Sequence, residues 1–494
     1  MKSGRLLPVL LIGLAALLVV GCGTPPVVPG VPKGPAQWLR NVATACTTST
    51  TDASGAQVSY QFDWGDGARS QWSQFTDGGA PFTDTHSFSD LGTFAVRVRA
   101  KNTKRASGWS PPLNVLVVPG EGAVAWSLGY TDPEDITDSS DFTLNSFAIG
   151  PDNTAYIACD YGAVIACSPS GTAAWRYSLT EFDQFTAAPL LADDGTILIG
   201  CSNDTVYALN ANGTRKWADS VHGQVYATGA LGADGTAFFQ TADSVVVALR
   251  PDGSKLWESF TEGGTTAPVV GPDGTVYAIN QNGVVYGLDP ANGSQKWTPV
   301  NLLAASVQPP AIDPNRNMMY IVTENGWLQT FDLTSHTPRW SDSVGLDASG
   351  PVVGPDGSIY VSGGARLTKF SPDGERSWAF VPPLPWGGVL STPALTADGY
   401  VYVLAVLGMK RRLAMQEADT LYATNPDGTR RWACSLGEGL SDPDYPLSAP
   451  KVGANGFIYV GDGFRAWCVA GVSAPAQTVW PMIYRDTRNT GRAQ

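Results

Sequence analysis

Short runs of alternating apolar and polar residues, broken by tight-turn residues, recur along most of this chain. Residues 267–297, APVVGPDGTVYAINQNGVVYGLDPANGSQKW, show the pattern most clearly. The runs TVYAI (275–279) and VVYGL (284–288) have the β-branched and aromatic bias of strands. The triplets Pro272-Asp273-Gly274, Gln281-Asn282-Gly283 and Ala291-Asn292-Gly293 supply residues that tolerate turn dihedrals, including positive φ. The segment therefore predicts four short antiparallel strands ending on Trp297. A sheet this small has two apolar faces and cannot bury both alone, so it needs copies of itself on either side.

The copies occur at 146–175, 188–217, 228–257, 309–340, 350–378, 392–432 and, degraded, at 449–480. Their closing tryptophans read as Trp175, Trp217, Trp257, Trp297, Trp340, Trp378, Trp432 and Trp480, with Trp126 left over. From Trp175 to Trp378 the spacings are 42, 40, 40, 43 and 38 residues. Four strands in about 40 residues is the period of a β-propeller blade, and a helical array would not carry a turn signal every eight to ten residues. Six units open on a proline (Pro189, Pro268, Pro310, Pro351, Pro393 and Pro450), which suits a strand start beside an unpaired edge lining a central channel. The expected fold class is all-β, an eight-bladed propeller over 119–494, with residues 122–127 around Trp126 closing the eighth blade.

These units resemble the PQQ-like, quinoprotein-type propeller repeat. The resemblance rests on an Asp/Asn…Gly…Trp motif, seen in 288–297 (LDPANGSQKW), 210–217 (NANGTRKW) and 425–432 (NPDGTRRW), and on the tail 480–486 (WPMIYRD). It covers about 122–492 and implies the fold more than any activity.

The N-terminal part differs. Residues 1–21 read as a lipoprotein signal peptide: Lys2 and Arg5 precede an apolar run that ends in Val-Val-Gly-Cys, so Cys22 is the expected lipidation site. Residues 22–37 are rich in Pro and Gly and read as an extended tether. Residues 38–118 resemble the PKD family of immunoglobulin-like sandwiches through YQFDWGDG (60–67), HSF (86–88) and GTFAVRV (92–98). Such domains act as spacers or binding modules. Asp63 and Asp66 could touch a cation, although turn carboxylates capping their own backbone are the plainer reading.

Charge and cysteine content narrow the function. The formal net charge of −13 argues against polyanionic partners, so no nucleic-acid partner is expected. Setting aside Cys22 and Cys46, five cysteines remain in the repeats, an odd number, and there is no CxxC or metal-spaced Cys/His cluster. The quinone dehydrogenases of the repeat family carry adjacent cysteines beside the cofactor, and no Cys-Cys pair stands here. Only His86, His222 and His336 could serve as imidazole bases, none beside a nucleophile motif. No cofactor and no catalysis are expected. The acidic loop 131–142 could gather Ca²⁺ ligands or simply be solvated.

The reading that remains is a non-catalytic, monomeric scaffold of the bacterial cell envelope, at the outer membrane or cell surface, held to the membrane by its lipid alone. It would bind a protein partner, with polysaccharide or cell-wall binding as the alternative. In anchor and repeat type it resembles the propeller lipoproteins of the outer-membrane protein assembly machinery, which lack a PKD-like domain. Two partner contacts are expected. One is the channel mouth, where Gln184, Tyr226, Thr266, Gln308, Ser349 and Ser391 precede the innermost strands, with Tyr226 and Gln308 foremost, although capping their own strand ends and holding channel water is the plainer reading of these side chains. The other is Lys410, Arg411 and Arg412, the densest cationic cluster, in a long insertion of the seventh unit.

Overall fold

The computed structural model describes residues 24–493 apart from 130–143, 160–161, 180–182, 263, 265, 307, 384–387, 407–418, 437–447, 462–464, 472, 477–479 and 487. Cys22, the acidic loop 131–142 and the Lys410–Arg412 cluster lie outside the described residues. The chain divides into two compact units, Met1–Val117 and Val118–Gln494, and all regular structure among the described residues is β.

In the first unit a four-stranded sheet runs in the order Gln37–Leu39, Leu113–Val118, Gly92–Lys101, Ser59–Asp63, and a two-stranded sheet pairs Thr44–Thr48 with Phe82–His86. Alternation along Gly92–Lys101 sends Val96, Val98 and Ala100 into a core with Trp38, Tyr60, Phe62, Trp64 and Phe88. Asp63 and Asp66 cap their own turn, accepting from Gly65 N and Ala68 N at 3.2 and 2.9 Å. Asp66 also bonds His86 Nε2 at 2.7 Å, and the His86 ring stacks on Trp64. The Pro/Gly-rich stretch is extended but not free. It lies along the sandwich as a strap, with Pro26, Pro29 and Pro32 buried at the three-residue period of a polyproline II helix.

Among the described residues the second unit forms eight antiparallel sheets. Each has four strands in sequence order except the seventh, where Val389–Leu390 and Ala394–Leu395 both pair with Val401–Val406, and the eighth. The eighth takes Lys451–Val452, Ile458–Gly461 and Arg465–Val469 from the end of the unit and Val124–Gly129 from its start, with Cys468 opposite Trp126. Trp126 is thus the closing tryptophan of this sheet. The assignment of Trp480 to that role is incorrect: Trp480 lies in the C-terminal tail, 1% exposed. A second correction concerns the fourth sheet, whose outer strand is Val300–Asn301, beyond Trp297.

The tryptophans join the sheets. In six of them the outer strand bulges at the residue before its Trp, as where Ala208 opposes Trp217 and Leu209 opposes Arg215. The bulge re-aims the indole toward the next sheet. Trp175, Trp217, Trp257, Trp340 and Trp378 each donate Nε1–H to a carbonyl in the last turn of the following sheet. Trp126 does the same from the eighth sheet to Pro169 O of the first, at 3.0 Å. Only glycine fits beneath the ring. At Gly213, φ +82°, an added Cβ would stand 2.6 Å from Trp175. Two junctions vary the theme. Trp297 stacks on His336, which holds φ +55° in place of glycine. Trp432 donates to Glu121 Oε1, which also pairs with Arg431.

Candidate functional site

The strand order gives the second unit two ends. One gathers the loops entering each first strand and the turns between second and third strands. The opposite end gathers the remaining turns, and there the C-terminal tail crosses the axis. The N–H of the second residue of five first strands donates to it: Leu191 to Arg488 O, Leu231 to Thr490 O, Val270 to Gly491 O, Val353 to Trp480 O and Leu395 to Pro481 O, all at 2.8–2.9 Å. Asn489 Nδ2 bonds Phe147 O and Pro189 O of the first and second sheets. Lys451 Nζ in the eighth donates to Ile483 O at 2.5 Å and Asp486 O at 3.2 Å. Burial pushes this ammonium down to about 7, with the Asp486 charge pulling it back. Asp486 in turn accepts from Arg488 N and Thr490 N, fixing the tail's own turn. The axis-facing edge expected to be unpaired is therefore capped at this end. A cleft of about 270 Å³ remains beside the tail, lined among others by Asp194, Leu198, Asp234, Arg250 and Arg492.

The other end is where the predicted mouth residues stand, and they divide. Thr266, Ser349 and Ser391 are buried and serve their own sheets. Thr266 Oγ1 donates to Ile279 O, Ser349 Oγ accepts from Ser362 N, and Ser391 Oγ accepts from Leu404 N. Gln184 is exposed, with its backbone carbonyl clasped by Ser202 N. Gln308 is half-buried, its carbonyl accepting from Ser306 Oγ. Tyr226 is 44% exposed and donates to Gln224 Oε1. A continuous polar ring is not what this geometry makes; half of it is strand capping.

What the sequence pattern did not reveal is the apolar character of this end. Among the described residues, the exposed large hydrophobics of the second unit are Tyr226, Phe260, Leu303, Trp327, Leu346 and Val381. Every one lies at this end, on a loop leading to a first strand, at a fourth-strand terminus or where a third strand begins. Leu303 is the extreme case, 89% exposed and held at φ +64°, a region a branched side chain avoids. Its N–H bonds Asn301 Oδ1 at 2.6 Å. Exposed carboxylates at Asp204, Asp243, Glu262, Glu324 and Asp347 rim the same loops.

Two of the three histidines lie in the second unit, and each has a local partner. His222 pairs with Glu258 at the surface and His336 serves Trp297. Among the described residues no group of three or more His, Cys, Asp or Glu is placed to hold a metal ion. The six described cysteines are buried and form no disulfide with one another, and burial pushes the Cys46 and Cys167 thiols up to about 11, which disfavours the reactive thiolate.

Residues 115–341 match the family model described as "Outer membrane protein assembly factor BamB". Among solved structures, BamB from Moraxella catarrhalis is 19% identical, covering 70% of this chain and 96% of that one, with a TM-score of 0.54. The computationally designed Ika8 protein (11% identity, 71% and 99% covered, TM-score 0.54) and the C-terminal WD40 domain of Sif2 (11%, 67% and 96%, 0.52) are also similar. No curated protein matches. The repeats within residues 115–341 are similar to those of that family, and the second unit has the β-propeller fold.

Proposed function

We propose that this chain is a non-catalytic scaffold of the cell envelope, lipid-anchored at Cys22, whose PKD-like sandwich carries a closed eight-bladed propeller that binds a protein partner at its open end. The observation that carries the reading is the gathering of the propeller's exposed large hydrophobics on the one end that the tail leaves free. Single exposed hydrophobics need no explanation, but six on one end with a bulky residue at positive φ mark an interaction surface. The acidic rim favours a partner that offers an apolar segment flanked by basic residues. The BamB-like repeats support a protein partner over a cofactor. In the sandwich the polysaccharide alternative would need open aromatic faces, whereas Trp72 and Trp109 there are half-buried under Arg99.

The test is co-purification of the full chain from detergent-solubilised envelope. Trp327→Ala with Leu346→Ala should release a partner that the parent retains, while Tyr226→Ala with Gln308→Ala should weaken it less. Retention by the first pair with the fold intact would remove the open end from consideration. Attention would then move to Lys410, Arg411 and Arg412. Mass spectrometry of the mature N-terminus tests the anchor, since an unacylated terminus refutes it.

A further inference from the structure

The strap fixes where the anchored end of the chain leaves the first unit. Asn102, 7% exposed, donates Nδ2–H to Thr24 O at 2.9 Å and to Asp52 Oδ2 at 2.7 Å. Its Oδ1 accepts from Lys104 N and Arg105 N, both at 2.8 Å. One buried amide thus ties the strap to the turn that bears Lys104 and Arg105, just after Lys101. Further bonds hold the strap down: Val27 N to Thr51 O, Thr50 Oγ1 to Val27 O, and the Lys33–Thr47 pairing. Thr24 is two residues from Cys22, a reach of about 7 Å even at full extension. The spacer read from composition therefore cannot hold the sandwich away from whatever Cys22 is attached to.

The adjoining surface is basic and aromatic. Beyond Val96 the strand Gly92–Lys101 turns Arg97, Arg99 and Lys101 outward. Arg99 lies over Trp72 and Trp109 at 5.2 and 4.5 Å, and Lys101 Nζ sits 4.3 Å from the Trp72 ring centre. Residues 24–117 carry eight Lys/Arg against six Asp/Glu, whereas residues 118–494 carry 21 against 38. The unit next to the anchor is thus net cationic, and the acidic excess of the protein lies in the other.

We propose that the corner formed by Lys101, Lys104 and Arg105, with Trp72 beside it, is a second membrane contact that binds anionic lipid headgroups. The inference rests on the anchor reading, because it is Cys22 that would bring the corner to the bilayer. Long basic side chains and indole rings are suited to the headgroup region, where stems and rings meet apolar surface and charges stay wet.

The experiment uses the mature chain carrying Cys22→Ser, so that no acyl group contributes. It is sedimented with vesicles of phosphatidylcholine, with and without one part in three phosphatidylglycerol. Binding is expected to the anionic vesicles alone and to fall at high salt. Each cation near such a surface contributes about fivefold, so Lys101→Gln, Lys104→Gln and Arg105→Gln together should lower the partition on the order of 100-fold. Arg215→Gln with Arg430→Gln, exposed cations of the second unit, should leave it unchanged. Equal binding to both vesicle types, or an unaffected triple variant, would overturn the proposal. So would retention on immobilised polygalacturonate without vesicle binding, which would assign the corner to an acidic glycan. An acylated native terminus without vesicle binding removes the corner alone, and vesicle binding with an unacylated terminus removes the anchor alone.

Discussion

Replacing Leu303 with glycine separates folding from binding at the open end of the propeller. The side chain is 89% exposed, so its loss removes almost no folded-state burial. Its backbone sits at φ +64°, where an L-residue with a Cβ is disfavoured by about 1–2 kcal/mol. Glycine relieves that cost and gives back about 0.5–1 kcal/mol through the freedom of its unfolded chain. The net change in stability is between zero and a gain of about 1 kcal/mol, read as an unchanged or higher urea midpoint with the same m-value. Binding should move the other way. A leucine fully covered by a partner contributes about 1.5–3 kcal/mol, so affinity should drop roughly 10- to 100-fold. Isothermal titration of the co-purified partner against both proteins gives the answer. A destabilisation above about 1 kcal/mol would show that Leu303 packs in the native state. An unchanged affinity would show that its exposure serves no contact.

Ring closure and the tail give two further tests. Trp126→Ala removes a half-buried indole and its bond to Pro169 O, and should cost about 2–3 kcal/mol by urea unfolding; a cost below about 1 kcal/mol would mean that the first and eighth sheets are held together by something else. Lys451 is lowered to about 7 in the folded chain, whereas in the unfolded chain it titrates near the ordinary lysine value of about 10.4. Between these values the unfolded state binds more protons, so stability rises with pH, by up to about 1.4 kcal/mol per unit, and the cost of the buried charge is fully present below about 7. Lys451→Met should flatten this rise between about pH 7 and 9, and parallel pH profiles for the two proteins would refute the assignment.

The repeats were legible because a blade is built from local signals. Turn triplets, β-branched runs and a closing tryptophan all fall within 40 residues, and the strands at 276–279 and 284–288 lie inside the predicted runs. Trp126 and Trp480 were harder, since both depend on which distant strand completes the last sheet, and pattern alone favours the tryptophan that follows in sequence. Thr266, Ser349 and Ser391 look like ligand groups in a list of polar residues, yet each satisfies a backbone group of the neighbouring strand in its own sheet. The exposed apolar end was invisible because an outward Leu303 or Leu346 reads the same as a core leucine until the loop's path is known. Asn102 gave no signal at all, as its partners Thr24 and Asp52 are far away in sequence.

The tail has a consequence for how the molecule comes into being. Residues 480–493 follow every sheet of the unit in the chain, and they bond to the first strands of sheets spread around the whole ring. The eighth sheet likewise needs a strand from residues 124–129 and three from beyond 450. Individual hairpins can form early, because their contacts are local, but the completed circle is a contact of the highest sequence separation the unit offers. Nothing can lock until residues 480–493 are free to enter the axis. For the exported scaffold proposed above, that delay would keep the interactions that make the ring permanent from forming ahead of delivery.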